Sequence, residues 1–133
     1  EALESVLPHT DMVLYDVKHV DAGRHRAATG MDNTLILENL QRLGGRTVIW
    51  TRTPLIPGFN DDPGVTDAIV ALARDVGAQR CCFLPLHRWG EHKYERLGLV
   101  DPYGAFREFG PGELERLRER YACLNGFVTF EKS

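Results

Sequence analysis

Hydrophobic side chains recur at two spacings along this chain of 133 residues, and the spacings predict strands that alternate with helices. Four runs rich in apolar and β-branched residues predict strands at residues 11–18, 46–56, 80–85 and 127–131. Helical spacing and terminal signals predict helices at residues 22–29, 34–43, 93–97 and 112–124, and a longer helix that Asp62 caps and Pro63 begins. In that longer helix the apolar residues between Val65 and Val76 form one stripe, and Gly77 ends it.

This order of elements predicts an α/β fold in which βα units build a parallel sheet. The predicted strands are nearly continuous apolar runs, which is typical of parallel strands that are covered on both faces. Three main strands are too few to close a barrel, so two architectures remain open at this point: a small open sheet, or a segment of a larger (β/α) barrel. With 43% hydrophobic residues, the chain has enough apolar material for one domain with its own core.

Composition narrows the function classes. The formal charge of −3 and the pI near 5.9 argue against a nucleic-acid-binding surface, and no apolar run is long enough to span a membrane. Cys81 and Cys82 are adjacent and Cys123 is distant, which is not a disulfide framework and indicates a reducing, cytoplasmic compartment. Because the chain lacks an initiator Met and begins within a helical pattern, we expect a fragment of a longer protein.

Asp16 and Lys18 are the first candidate binding residues, since they stand at the end of the first predicted strand. Residues i and i+2 of a strand share a face, so the carboxylate and the ammonium group should project together. The carboxyl ends of barrel strands form the active-site face, and this pair would suit a zwitterionic or polyhydroxyl ligand. The alternative is a solvated ion pair at the end of the strand.

Arg52 is unusual because it lies within an apolar strand. A charge that is buried there needs a partner, which could be the carboxylate of a ligand or Asp16 on the neighbouring strand. Alternatively, Arg52 lies on an edge strand and reaches solvent.

His87 directly follows the third strand, which makes three successive strands that end in polar groups and favours a binding role. His87, Glu91 and His92 could be considered as metal ligands, but their spacing fits no standard zinc pattern. The other histidines are scattered and are predicted to lie on the surface; they are His9, His19 and His25.

Taken together, five motifs stand in order along the chain: Y-D-V-K-H, a glycine, N-T-L-I-L-E-N-L, T-R-T-P-L-I-P-G-F-N-D-D, and F-L-P-L-H-R-W-G-E-H-K-Y-E-R-L-G. This pattern resembles the C-terminal half of the activating enzymes of glycyl radical enzymes, among which pyruvate formate-lyase activating enzyme is a familiar member. The resemblance covers residues 11–98, and the remainder through residue 131 is compatible with it.

The resemblance implies a radical S-adenosylmethionine enzyme on a partial, TIM-like (β/α)6 barrel. Such an enzyme cleaves S-adenosylmethionine reductively at a 4Fe–4S cluster, and the radical formed takes a hydrogen atom from a glycine of a partner glycyl radical enzyme. By this resemblance Asp16 and Lys18 contact S-adenosylmethionine, Asp16 is also a candidate ligand of a monovalent cation, and Arg52 and His87 line the same pocket. A flavodoxin-type protein is the implied candidate electron donor.

The chain departs from this family in one large respect, because it contains neither the C-x3-C-x2-C cluster loop nor the glycine-rich strand of the family. We therefore expect residues 1–133 to form a single domain that corresponds to the C-terminal portion of the barrel, with the cluster-binding half absent. Such a chain supplies one wall of the pocket, holds no cluster or catalytic residue, and is inactive alone. The first strand would be an exposed apolar edge, which predicts self-association.

Two other functions remain open from the sequence. One is a non-catalytic half-barrel that binds a partner. The other is an unrelated small α/β domain that binds a metal ion through His87 and Glu91.

Overall fold

A computed structural model describes residues 2–87, 91–100 and 104–131, and of residues 91 and 92 it describes the backbone alone. Its helices are α1 (Ala2–Val6), α2 (Ala22–Thr29), α3 (Thr34–Leu43), α4 (Pro63–Asp75), α5 (Glu91–Arg96) and α6 (Glu113–Arg120). Its strands are β1 (Met12–Asp16), β2 (Val48–Leu55), β3 (Arg80–Pro85) and β4 (Val128–Phe130). Short 3-10 helices follow α1 at Leu7–His9 and α6 at Ala122–Leu124. The predicted alternation of strands and helices is confirmed.

The four strands form one parallel sheet in the order β1-β2-β3-β4. Each new strand is added beside the previous one on the same side, so the described sheet has no point at which the strand order reverses. Doubly wound open sheets have such a reversal, whereas barrels grow by successive neighbours. The topology therefore favours the barrel segment over the small open sheet.

One face of the sheet carries the core. Side chains that alternate along β2 and β3 toward this face pack against apolar residues of α3, α4 and α6. The largest buried members of this core include Leu40, Leu43, Ile49, Ile69 and Phe83, each at most 1% exposed. Burial of each such side chain stabilises the fold by about 2 kcal/mol, so this face determines which way every strand is turned.

The opposite face, which we call the open face, carries Met12, Leu14 and Asp16 of β1 and Val48, Trp50 and Arg52 of β2. Met12, Leu14 and Val48 are 40–51% exposed. The expectation of strands covered on both faces was therefore wrong for β1 and β2. The interior of a barrel gives a physical reason, because its inward side chains are covered only when the barrel is complete.

A side-chain cap begins α4 but not α3. Asp62 caps α4 as predicted, since its Oδ1 accepts the N–H groups of Gly64 and Val65. Asn33 precedes α3 but makes no cap; its amide instead donates to the His19 carbonyl at 2.7 Å, and Asp32 Oδ1 accepts the Thr34 N–H. No described helix is both long and apolar enough to cross a membrane.

Candidate functional site

Strand register brings two of the candidate residues into contact on the open face. Asp16 of β1 is paired with Arg52 of β2, and Arg52 donates from Nε and Nη2 to Asp16 Oδ1 at 3.0 and 2.8 Å. The two side chains are 46% and 39% exposed, so the pair is solvated and contributes at most about 1 kcal/mol to stability. Because no described residue donates to Asp16 Oδ2, a carboxylate oxygen next to a guanidinium group remains available to a ligand.

Of the two partners that the sequence suggested for Arg52, a ligand carboxylate or Asp16, the structure shows Asp16. Arg52 lies on β2, which has neighbours on both sides, so the alternative of an edge-strand arginine was wrong. Its charge is not buried, and the expected need for a compensating group is correspondingly weaker.

Lys18 lies two residues beyond the end of β1. Among the ion pairs of the described residues there is none between Lys18 and Asp16. Lys18 lines a pocket of about 310 Å³ at the carboxyl ends of β1 and β2. The other lining residues are Ala28, Thr29, Pro54, Ile56, Phe59 and Phe106. The pocket therefore combines one cation with mostly apolar walls, which is the usual make-up of a site for a small organic ligand.

His87 lies two residues beyond β3, and its side chain is exposed. The Leu86 N–H donates to the Leu55 carbonyl at 2.9 Å, which keeps this segment beside the end of β2. The structure thus joins Asp16 to Arg52, sets Lys18 in a pocket, and leaves His87 exposed beyond the third strand.

The hypothesis of a metal bound by His87, Glu91 and His92 depends on side chains that lie outside the described residues. Within the described part of the chain, no group of three or more histidine, cysteine or carboxylate side chains could hold a metal ion.

The three cysteines do not share a site in the structure. Cys81 and Cys82 are buried in β3 and point to opposite faces, and Cys123 is exposed. Burial raises the pKa of the Cys81 thiol to about 11 and also raises that of Cys82. Both therefore behave as small apolar residues at neutral pH.

Two of the three histidines that were predicted to lie on the surface are buried, so that prediction was wrong for His19 and His25. His19 Nδ1 accepts the Asp21 N–H at 2.9 Å, and its ring packs against Phe59 with the centroids 5.2 Å apart. Burial, reinforced by the nearby Arg24, lowers the pKa of His19. His19 therefore serves as a neutral packing residue behind the pocket.

Sequence reasoning missed three residues that shape the pocket. Phe59 and Phe106 line it, and Asn60 lies behind it with no exposed surface. In the sequence, Asn60 follows a proline and a glycine within one short segment, and a turn alone explains those three residue types, so Asn60 carries no signal of a site. Phe106 comes from the segment after α5, which carries no motif of its own.

Curated relatives of the chain are activating enzymes. It is 42% identical over 105 residues to the isethionate sulfite-lyase activating enzyme of Nitratidesulfovibrio vulgaris, which covers 77% of this chain and 34% of that protein. It is 34% identical over 140 residues to the 4-hydroxyphenylacetate decarboxylase activating enzyme of Clostridioides difficile, and the aligned region covers 97% of this chain and 43% of that protein. It is 39% identical over 98 residues to the indoleacetate decarboxylase activating enzyme of Tractidigestivibacter scatoligenes, and the aligned region covers 72% of this chain and 31% of that protein. The chain thus spans less than half the length of these relatives.

Comparison of folds gives a consistent result. A domain of a pyruvate-formate lyase-activating enzyme from Bacteroides vulgatus superposes with a TM-score of 0.74 at 17% identity, covering 97% of this chain and 72% of that chain. At that identity the match shows the fold, a parallel α/β segment of a partial TIM-like barrel. No protein-family model matches the chain. The resemblance drawn from the sequence motifs is confirmed: the homologues of this chain are activating enzymes of glycyl radical enzymes.

Proposed function

We propose that this chain is the C-terminal portion of a radical S-adenosylmethionine enzyme that activates a glycyl radical enzyme, and that it supplies one wall of the S-adenosylmethionine pocket. The observation that carries the proposal is the pairing of Asp16 and Arg52 at the strand ends, next to a pocket that holds Lys18. By this proposal, S-adenosylmethionine and a 4Fe–4S cluster would supply the radical chemistry of the whole enzyme.

The residues present suit S-adenosylmethionine but not the cluster. Lys18 is the ligand for the carboxylate of the methionine part, and Asp16 Oδ2 accepts from hydroxyl or amino groups or binds a monovalent cation. Arg52 fixes the orientation of Asp16, and His87 contributes from the end of β3. The cysteines lie on opposite faces of β3 and beyond α6, which is incompatible with a shared cluster.

The pocket size agrees with a partial site. A volume of about 310 Å³ is at the lower end of the ~300–1,000 Å³ that sites for small organic molecules occupy. A nucleoside joined to an amino acid needs a larger enclosure, so a second wall has to come from elsewhere. We propose that the cluster-binding half precedes this chain, covers the exposed side chains of the open face, and carries the catalytic apparatus.

The partner of the whole protein is, by this proposal, a glycyl radical enzyme, with a flavodoxin-type protein as the candidate electron donor. A cytoplasmic location suits this chemistry and agrees with the cysteine pattern, in which Cys81 and Cys82 are adjacent and buried and Cys123 is distant and exposed. The coding sequence upstream of residue 1 tests the assignment directly. An in-frame C-x3-C-x2-C motif is the expected result, and its absence from the complete reading frame would contradict the enzyme assignment.

Titration of the ¹⁵N-labelled chain with S-adenosylmethionine tests the pocket wall. We expect amide shifts at residues 16–18, at residues 52, 53, 55 and 56, and at residue 87, with weak affinity because half of the enclosure is missing. Lys18→Ala and Arg52→Ala should weaken the binding about tenfold, since each removes a charged hydrogen-bond donor. Lys93→Ala is the matched control, because it removes an exposed cation on α5. Equal effects of all three substitutions would indicate non-specific attraction and contradict the proposal.

Inactivity of the chain alone is tested separately. After incubation with iron and sulfide under anaerobic reducing conditions, the chain should produce no 5′-deoxyadenosine from S-adenosylmethionine. Turnover above the level of a protein-free control would show that the chain is self-sufficient, contrary to the proposal.

A further inference from the structure

Asn60 is the most completely bonded buried side chain near the pocket. It has no exposed surface, and its Nδ2 donates to the carbonyls of Lys18 and Pro54 at 2.8 Å each. Its Oδ1 accepts the N–H of Ile56, also at 2.8 Å. One primary amide thus uses both N–H groups and its carbonyl oxygen on the backbone of three other residues.

Those three residues all line the pocket. Lys18 follows β1, Pro54 belongs to the end of β2, and Ile56 follows it. The pairing of β1 with β2 ends near this point. Its last two bonds are at Val17, whose N–H donates to the Arg52 carbonyl and whose carbonyl accepts from Thr53 Oγ1. Beyond Val17, Asn60 takes over this connection. Its side chain donates to the Lys18 carbonyl and so ties the Lys18 backbone to the loop that follows β2.

The loop geometry brings Asn60 into this place. Gly58 adopts a φ of +82°, which turns the chain back, and Asp61 Oδ1 accepts the Gly58 N–H at 2.8 Å. Asn60 then points inward while Phe59 remains on the wall of the pocket. The turn and the pocket wall are therefore parts of the same unit.

We propose that Asn60 is a positioning residue, which binds no ligand itself but holds the Lys18 backbone so that its ammonium group meets a ligand carboxylate. This inference rests on the proposed function, since it names how that site is held in shape. Removal of the amide leaves two carbonyls and one N–H without partners inside the protein, and the segment that carries Lys18 then shifts away from β2.

A double-mutant cycle in the full 133-residue chain tests the proposal. Asn60→Ala should weaken S-adenosylmethionine binding about tenfold in the wild-type background and have little effect in the Lys18→Ala background, because both changes remove the same interaction. Binding of adenosine, which has no carboxylate, should change much less. A role in overall stability alone would lower the two affinities equally and leave the two substitutions additive, and that result would overturn the proposal.

Asp61→Ala is the matched control, since it lies in the same turn and bonds Gly58 rather than β1. Asn60→Ser serves as a second, smaller perturbation. If neither Asn60 variant folds while Asp61→Ala does, the residue supports the fold as a whole and the positioning role is rejected.

Amide hydrogen exchange without ligand separates this inference from the proposed function. Exchange at residues 18–20 and at Ile56, whose N–H bonds Asn60, should accelerate in Asn60→Ser and remain unchanged in Asp61→Ala. In Asp61→Ala only the Gly58 amide loses its acceptor, so exchange should accelerate there instead. Unchanged exchange in Asn60→Ser overturns the inference, whether or not the ligand binds. If exchange is faster in Asn60→Ser but the wild-type chain does not bind S-adenosylmethionine, the proposed function is contradicted. The hydrogen bond from Asn60 to the Lys18 backbone is still supported in that case.

Discussion

The contact between α4 and α6 should depend on pH through a single carboxylate, Asp67. Arg120 donates from Nε to Asp67 Oδ1 at 2.9 Å and from Nη2 to Oδ2, and the Tyr121 hydroxyl donates to Oδ1 at 2.7 Å. These bonds, chiefly those from Arg120, lower the pKa of Asp67 from 3.8 to about 2. We predict that Asp67→Asn destabilises the chain at neutral pH and does so less in acid.

The magnitude follows from the pKa and the exposure. A shift of this size would represent about 2 kcal/mol for a fully shielded group, but the Asp67 side chain is 47% exposed, so screening reduces the contribution to about 1 kcal/mol. Because the pKa in the folded chain is below the ordinary value, the stabilisation is fully present above pH ~4 and disappears as the pH falls toward ~2. About half of it should be lost at pH 3.

Urea unfolding followed by circular dichroism at pH 7, 5 and 3 measures this difference. Glu115→Gln is the matched control, because Glu115 forms an exposed pair with Arg118 within α6 at 3.7 Å and should contribute nothing measurable at any pH. A loss of stability in Asp67→Asn that stays constant from pH 7 to pH 3 would refute the electrostatic reasoning. Equal stability of the variant and the wild type at pH 7 would refute it as well.

Two further predictions concern the thiols and the open face. In the native chain, Cys123 should react rapidly with a thiol-specific disulfide reagent, whereas Cys81 and Cys82, at most 2% exposed, should react only at the rate of unfolding. The wild-type chain should self-associate at high concentration through β1, an edge strand of the described sheet, and Leu14→Lys should reduce this association because Leu14 is 51% exposed on the open face.

Each of these has a simple control. Thiol counts in urea give the total of three, and rapid reaction of more than one thiol in the native chain would contradict the burial of β3. Analytical ultracentrifugation of the wild type, Leu14→Lys and Leu35→Lys separates the edge strand from α3, since Leu35 is also exposed at 64%. A monomeric wild-type chain at high concentration, or equal effects of both lysines, would argue against association through β1.

Local signals in the sequence predicted most of the fold. The bounds of α2, α3 and β3 agree with the structure, because apolar spacing, a proline at the start of α4 and glycines after helix ends are properties of short segments. The covered and open faces of the sheet were not distinguished, since an exposed Leu14 and a buried Ile49 look alike in a strand pattern. Exposure depends on what packs against the strand, and that lies elsewhere in the chain.

The sequence by itself determined the parallel α/β class, the homologous family and the residue types at the strand ends, because each depends on neighbours within a few positions or on motifs in order. Only the tertiary structure decided that Asp16 meets Arg52, 36 residues away, rather than Lys18. It likewise decided that Asn60 bonds the carbonyl of Lys18 across 42 residues and that His19 is buried. Hydrogen bonds and burial of this kind depend on strand register and packing, which no local spacing of residues determines.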